Sequence, residues 1–107
     1  MTRAYTYIWA FEVHPEHVVA FRWHYGAGGA WTQLFRRARG YLGTQLLEDQ
    51  TDSVRFVTID TWSSVEDYEA FRTAYASEYA ELDRLCEGFT VRETLIGHFT
   101  SEPHADP

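Results

Sequence analysis

Val54-Arg55-Phe56-Val57-Thr58-Ile59-Asp60-Thr61-Trp62-Ser63-Ser64-Val65-Glu66-Asp67-Tyr68-Glu69-Ala70-Phe71 holds a strand, a cap and the start of a helix in succession. Val54 to Trp62 is rich in β-branched and aromatic residues and free of Gly and Pro, which predicts a strand. Phe56 lies on one face of that strand, and Val57 and Ile59 lie on the other, so both faces are apolar. Ser63 or Ser64 then serves as N-cap, and Ser64 with Asp67 has the spacing of a capping box. The helix that follows meets no Gly or Pro before Gly88. Tyr68, Phe71, Tyr75, Tyr79, Leu82, Leu85 and Cys86 are expected on its apolar face, with a bend near Ser77.

Upstream, Tyr41 to Leu47 predicts a partner strand, joined to Val54 by the polar stretch Asp49-Gln50-Thr51-Asp52-Ser53. Further back, Tyr5, Tyr7, Trp9, Phe11 and Val13 alternate with Thr6, Ile8, Ala10 and Glu12, the two-residue period of a strand. Pro15 suits the first turn of a helix carrying Val18, Phe21 and Tyr25, which Gly26-Ala27-Gly28-Gly29 stops. Trp31, Leu34, Phe35 and Ala38 mark a second short helix, with Gly40 placed to end it. Downstream, Thr90 to Phe99 predicts a last strand, and residues 101–107 a disordered tail after a domain spanning residues 1–100.

The order strand, broken helix, strand, strand, helix, strand is the split β-α-β pattern of an α+β, ferredoxin-like sandwich with a four-stranded antiparallel sheet. Helices cover one face of such a sheet. An apolar second face left in water is a patch of a size that monomers avoid. The simplest remedy is a homodimer, with two copies pairing sheet against sheet about a twofold axis.

Composition narrows the function. Of 107 residues, 17% are aromatic, including four Trp, more ring surface than so small a subunit easily buries alone. The net charge of −7 and the lack of a basic run argue against a nucleic-acid partner. All nine basic residues are Arg, so Schiff-base chemistry and the Lys of a phosphate loop are excluded. Asn is also absent, a bias that would suit a GC-rich bacterial genome. Cys86 is the single cysteine, which excludes an internal disulfide and a Cys-based zinc site and fits a reducing cytoplasm. Thr6 and Glu12 interrupt the first apolar stretch, so neither a signal peptide nor a membrane span is expected.

Several side chains are candidates for chemistry. Asp60 and Trp62, two apart on one strand, share a face. On the helix side Asp60 would be a partly buried carboxylate beside a ring, with a raised pKa and a usable base; the alternative is a salt bridge to Arg72 or Arg92. Arg72 would hold an oxyanion, or else pair with Glu69 or Asp60 at the surface. His24 is a candidate proton acceptor, though a His at a helix C-terminus is also favoured by the dipole alone. His14-Pro15-Glu16-His17 lacks a third ligand, so no metal is expected. Gly26-Ala27-Gly28-Gly29 lies between helices, where it would kink a wall and not cradle a phosphate. Cys86, with no His at a helical neighbour position, reads as a buried, inert thiol.

Taken together, Phe35-Arg36 through Gly40-Tyr41-Leu42-Gly43, Thr58-Ile59-Asp60-Thr61-Trp62, Val65-Glu66-Asp67-Tyr68-Glu69-Ala70-Phe71, and Glu93 with Gly97 and Phe99 resemble the antibiotic biosynthesis monooxygenase family. The resemblance covers Tyr5 to Phe99 and implies a dimeric α/β barrel. It also implies a cofactor-independent monooxygenase, with no metal and no flavin, acting on a small aromatic or polyketide-like molecule and on dioxygen. Such an enzyme binds a flat ring, removes a proton and keeps water from the intermediate. The resemblance puts Trp62 beside the pocket, as a stacking platform; a core Trp is the other reading. The expected pocket lies between sheet and helices, lined by Trp9, Phe21, Trp31, Phe35, Trp62 and Tyr68. Haem-degrading relatives use an Asn, a Trp and a His; only Trp62 matches, so haem degradation is not expected. The alternative to an enzyme is a non-catalytic binding or assembly module of the same dimeric fold.

Overall fold

The computed structural model describes residues 3–103. Four strands, β1 (Tyr5–Val13), β2 (Tyr41–Asp49), β3 (Asp52–Trp62) and β4 (Thr90–Thr100), form one antiparallel sheet in the order β2-β3-β1-β4. Helices α1 (Val18–Tyr25) and α2 (Ala30–Phe35) connect β1 to β2, and α3 (Val65–Ala74) and α4 (Ala76–Cys86) connect β3 to β4. Short 3₁₀ turns, Pro15–His17 and Glu87–Phe89, lead into α1 and β4. This is the ferredoxin-like α+β sandwich that the strand and helix order predicts. Among the described residues no helix is long and apolar enough to cross a membrane.

The register pairs Tyr7 with Asp60, Trp9 with Thr58 and Phe11 with Phe56, and these residues face the helices. The core is built there: Phe21 of α1, Phe56 of β3, Trp62 of β3 and Phe71 of α3 are fully buried or nearly so. Their rings meet edge-on or tilted, as Phe21 with Phe56 at 5.2 Å and Trp62 with Phe71 at 5.0 Å between centroids. The opposite face pairs Ile8 with Ile59 and Ala10 with Val57, and Leu47 stands beside Val57. Among the described residues no helix covers this second apolar face. β4 is exposed along most of its length, with Ile96 52% and Phe99 50% accessible.

Four local expectations are revised. The hairpin loop shrinks to Gln50-Thr51, because the Asp49 carboxylate accepts both the Thr51 N–H and its hydroxyl at 2.8 Å, closing an Asx turn that lengthens both strands. α2 ends at Phe35, and Ala38 lies in a tight turn bonded back to Phe35, not in the helix. Gly40, at φ +90°, then turns the chain into β2. The long helix breaks at Tyr75 (φ −113°, ψ 27°), two residues before the expected bend. Leu85 is 62% exposed, because the inward row runs Tyr75, Tyr79, Leu82, Cys86 and leaves Leu85 about a quarter-turn away. Ser64 caps α3 as expected, its Oγ accepting the Asp67 N–H at 3.1 Å, but the Asp67 carboxylate accepts the Ser63 hydroxyl and does not close a capping box. Of the tail, Ser101 N–H donates to the Ala4 carbonyl at 2.9 Å, and residues 104–107 lie outside the described residues.

Candidate functional site

Between the helix layer and the helix-side face of the sheet lies a cavity of about 450 Å³. Its apolar wall comes from Trp9 and Phe11 of β1, Trp31 and Phe35 of α2, and the rings of Tyr25 and Tyr79. Thr44, Thr58, Asp60, Arg72, Asp83 and Glu93 supply its polar groups, and Tyr7 stands beside Asp60. A room of this size, ring-walled with a few converging polar groups, is the usual form of a small-molecule site.

Asp60 is the group the fold treats most unusually. It is 5% exposed and makes no ion pair among the described residues. Arg92, one expected partner, pairs instead with Glu12 at 3.3 Å. Arg72, the other, donates to the Tyr68 hydroxyl at 3.1 Å and lies over the Tyr79 ring at 3.9 Å. Burial therefore pushes the Asp60 carboxyl up to about 6, against a lowering pull from the Thr44 hydroxyl that donates to it. Because Thr44 spends its single hydrogen on Asp60, the Tyr41 hydroxyl must donate to Thr44, across 2.6 Å. A donor chain Tyr41–Thr44–Asp60 thus holds one carboxylate oxygen. The other has no partner among the described residues and is not sealed off, so it is open to the cavity.

Glu93, on β4 opposite Phe11, is also raised by burial, and the Thr90 hydroxyl donates to it at 3.2 Å. Tyr79 is pushed up to about 12, again chiefly by burial. The Tyr7 and Tyr25 phenols are raised further still by the same cause, so both stay neutral. Trp31 places its indole N–H where it is buried without a partner among the described residues.

Of the residues singled out from sequence, Asp60, Arg72, Trp9, Trp31 and Phe35 come together on the cavity wall. Trp62, Phe21 and Tyr68 do not line it. Trp62 is 0% exposed behind the wall, enclosed by Phe35, Tyr41, Tyr68 and Phe71, and its Nε1–H donates to the Tyr7 hydroxyl at 3.2 Å. Phe21 stacks on Tyr25 at 4.2 Å inside the core. Tyr68 instead borders a separate cleft with Tyr5 and His98. His24 sits away from the cavity, its Nδ1 2.8 Å from the Ala20 carbonyl and its ring against Phe89. His14 and His17 meet ring to ring at 6.1 Å, and among the described residues no three His, Cys, Asp or Glu side chains are grouped to hold a metal ion.

Tyr7, Phe11, Tyr25, Thr44, Thr58, Tyr79, Asp83 and Glu93 were not among the expected site residues. The alternation in β1 carries the signal for Tyr7, which must share the face of Trp9. Nothing local marks Thr44, whose place beside Asp60 depends on the β2–β3 register.

The same fold recurs in solved structures of low identity. PA3566 from Pseudomonas aeruginosa superposes with a TM-score of 0.73 at 19% identity, covering 96% of this chain and 98% of that one. SnoaB, a cofactor-independent oxygenase from Streptomyces nogalater, gives 0.66 at 16% identity, with 96% and 97% covered. Rv0793 from Mycobacterium tuberculosis gives 0.68 at 16% identity, with 96% and 97% covered. No protein of curated function matches the chain. The family model described as antibiotic biosynthesis monooxygenase matches residues 4–81, from the start of β1 into the middle of α4. With most of its length under that match, the chain belongs to the antibiotic biosynthesis monooxygenase family.

Proposed function

We propose that this protein is a cofactor-independent monooxygenase that oxidises a small hydroxylated aromatic, polyketide-like molecule in the cavity between sheet and helices. The observation that carries the reading is Asp60: a buried carboxylate that makes no ion pair among the described residues, open to a ring-walled room. A carboxyl poised at about 6 is mostly ionised at neutral pH yet is a far better base than an ordinary Asp. Asp60 takes the proton of a ring hydroxyl or of an enolisable CH₂. The anion left behind passes one electron to dioxygen, and the carbon radical and superoxide combine to a peroxide that takes up a proton. Loss of water leaves a carbonyl, so a CH₂ and one O₂ become a C=O and one H₂O. Trp9, Trp31 and Phe35 clamp the flat ring, and the apolar wall keeps water from the intermediate.

In this reading the working unit is a homodimer, the second copy covering the sheet face that carries Ile8, Val57 and Ile59. The test is dioxygen uptake with hydroxyanthrones and polyhydroxylated phenols. Uptake that rises with pH through about 6 and disappears in Asp60→Asn is expected. No uptake across such a panel, or uptake undiminished in Asp60→Asn, overturns it. One observation favours the binding-module reading: Trp62 is sealed in the core. Ligand-dependent rises in melting temperature without any turnover would select that alternative.

A further inference from the structure

The polar contacts of Trp62 and Tyr7 say more than their exposure. Trp62 cannot touch a molecule in the cavity, since it is fully buried and lies outside the wall. Its indole N–H reaches the cavity only through Tyr7, to whose oxygen it donates at 3.2 Å. That bond occupies an acceptor position of the Tyr7 hydroxyl. The hydroxyl hydrogen has no acceptor among the described residues, and Tyr7 stands in the cavity wall. In the β1–β3 register Tyr7 is directly opposite Asp60 on the helix-side face, where facing Cβ atoms are roughly 5 Å apart.

We propose that Tyr7 donates the hydrogen bond that holds the substrate's hydroxyl oxygen beside Asp60, and that Trp62 is a positioning residue acting through Tyr7. The proposal rests on reading the cavity as the place where Asp60 takes a proton. It narrows the substrate class to ring hydroxyls and enols. Such an oxygen can accept a hydrogen bond from Tyr7 while giving its own proton to Asp60. When the O–H bond breaks, its electron pair stays on that oxygen as the proton moves to the carboxylate. The Tyr7 donor then faces an oxyanion, and a hydrogen bond to a charged acceptor is stronger than one to a neutral hydroxyl. The indole N–H polarises the phenol and fixes its rotor, so the donor needs no reorganisation.

Tyr7 suits donation and not proton abstraction. Burial, with the nearby Asp60, Tyr68 and Tyr79, keeps its phenol neutral at any working pH. Arg72 stands on the same cavity wall as Tyr7.

Binding of 4-nitrophenol and of nitrobenzene, which lacks the hydroxyl, tests this on the purified full chain. Tyr7→Phe is expected to weaken 4-nitrophenol by about tenfold and leave nitrobenzene unchanged. Trp62→Phe, which keeps a ring but removes the N–H, is expected to reproduce part of the 4-nitrophenol loss alone. A merely structural Trp62 would weaken both probes together. Equal 4-nitrophenol binding by wild type and a folded Tyr7→Phe overturns the proposal, and so does failure of both probes to bind folded wild type. If the hydroxyl-selective loss appears but no hydroxyanthrone is ever oxidised, the donor assignment stands and the oxygenase reading falls.

Discussion

Replacing Asp60 by Asn should stabilise this protein at neutral pH while removing its proposed base. The carboxyl titrates near 6 in the fold, against 3.8 for an unperturbed Asp. Each unit of difference corresponds to about 1.4 kcal/mol, so ionised Asp60 costs the folded state about 3 kcal/mol at pH 8. The direction follows from which state holds the proton. Between pH 4 and 6 the unfolded chain has already released it and the folded chain has not, so stability falls as pH rises through that window and stays lower above it. Asn cannot ionise, and its carbonyl oxygen still accepts the Thr44 hydroxyl that Asp60 accepts now. Glu93 pulls in the same direction but is common to both proteins and cancels in the comparison. Urea unfolding followed by Trp fluorescence, at fixed protein concentration and several pH values from 4 to 8, measures the difference. The two proteins should be nearly equal at pH 4, and the variant should lead by about 3 kcal/mol at pH 8, some 10–20 °C in Tm for a domain of this size. Stability curves that run parallel across the whole range would refute the buried, unpaired carboxylate and with it the base. Such a gain in stability with loss of turnover is the usual mark of a strained functional group.

Gly40→Ala should cost about 1–3 kcal/mol, read as a lower urea midpoint, because φ is +90° and a new Cβ would lie 2.6 Å from Asp67 Cβ and from Ser63 Oγ. Gly43→Ala, with open space around the new methyl, should change stability by no more than about 0.5 kcal/mol. Light scattering should give the wild type twice the mass of one 12.5 kDa chain, and Ile59→Glu, on the uncovered sheet face, should give one. A wild type that stays monomeric at micromolar concentration would remove the barrel.

The element order was legible in the chain because its signals are local. Alternation in Tyr5–Val13, the Ser64–Asp67 cap and the Gly-rich stop after Tyr25 each act over a few residues, and each appears where it was read. The two-faced apolarity of β3 was legible for the same reason, since side chains in a strand alternate whatever surrounds them. Boundaries were less so. The Asx turn at Asp49 and the break at Tyr75 come from hydrogen bonds and packing that periodicity does not register.

The site divides along the same line. That Asp60 and Trp62 share a face follows from their spacing, and that Asp60 either ionises at a raised pKa or pairs with an Arg was as far as spacing reached. The tertiary structure decided between those two by giving Arg92 to Glu12 and Arg72 to Tyr68 and Tyr79. It alone set Thr44 against the carboxylate through the β2–β3 register, sealed Trp62 behind the wall, and aimed its N–H at Tyr7, 55 positions away in the chain. Local periodicity fixes the face on which a side chain stands. Its partner, its burial and so its pKa belong to groups brought together from distant parts of the chain, and only the packed fold brings them there.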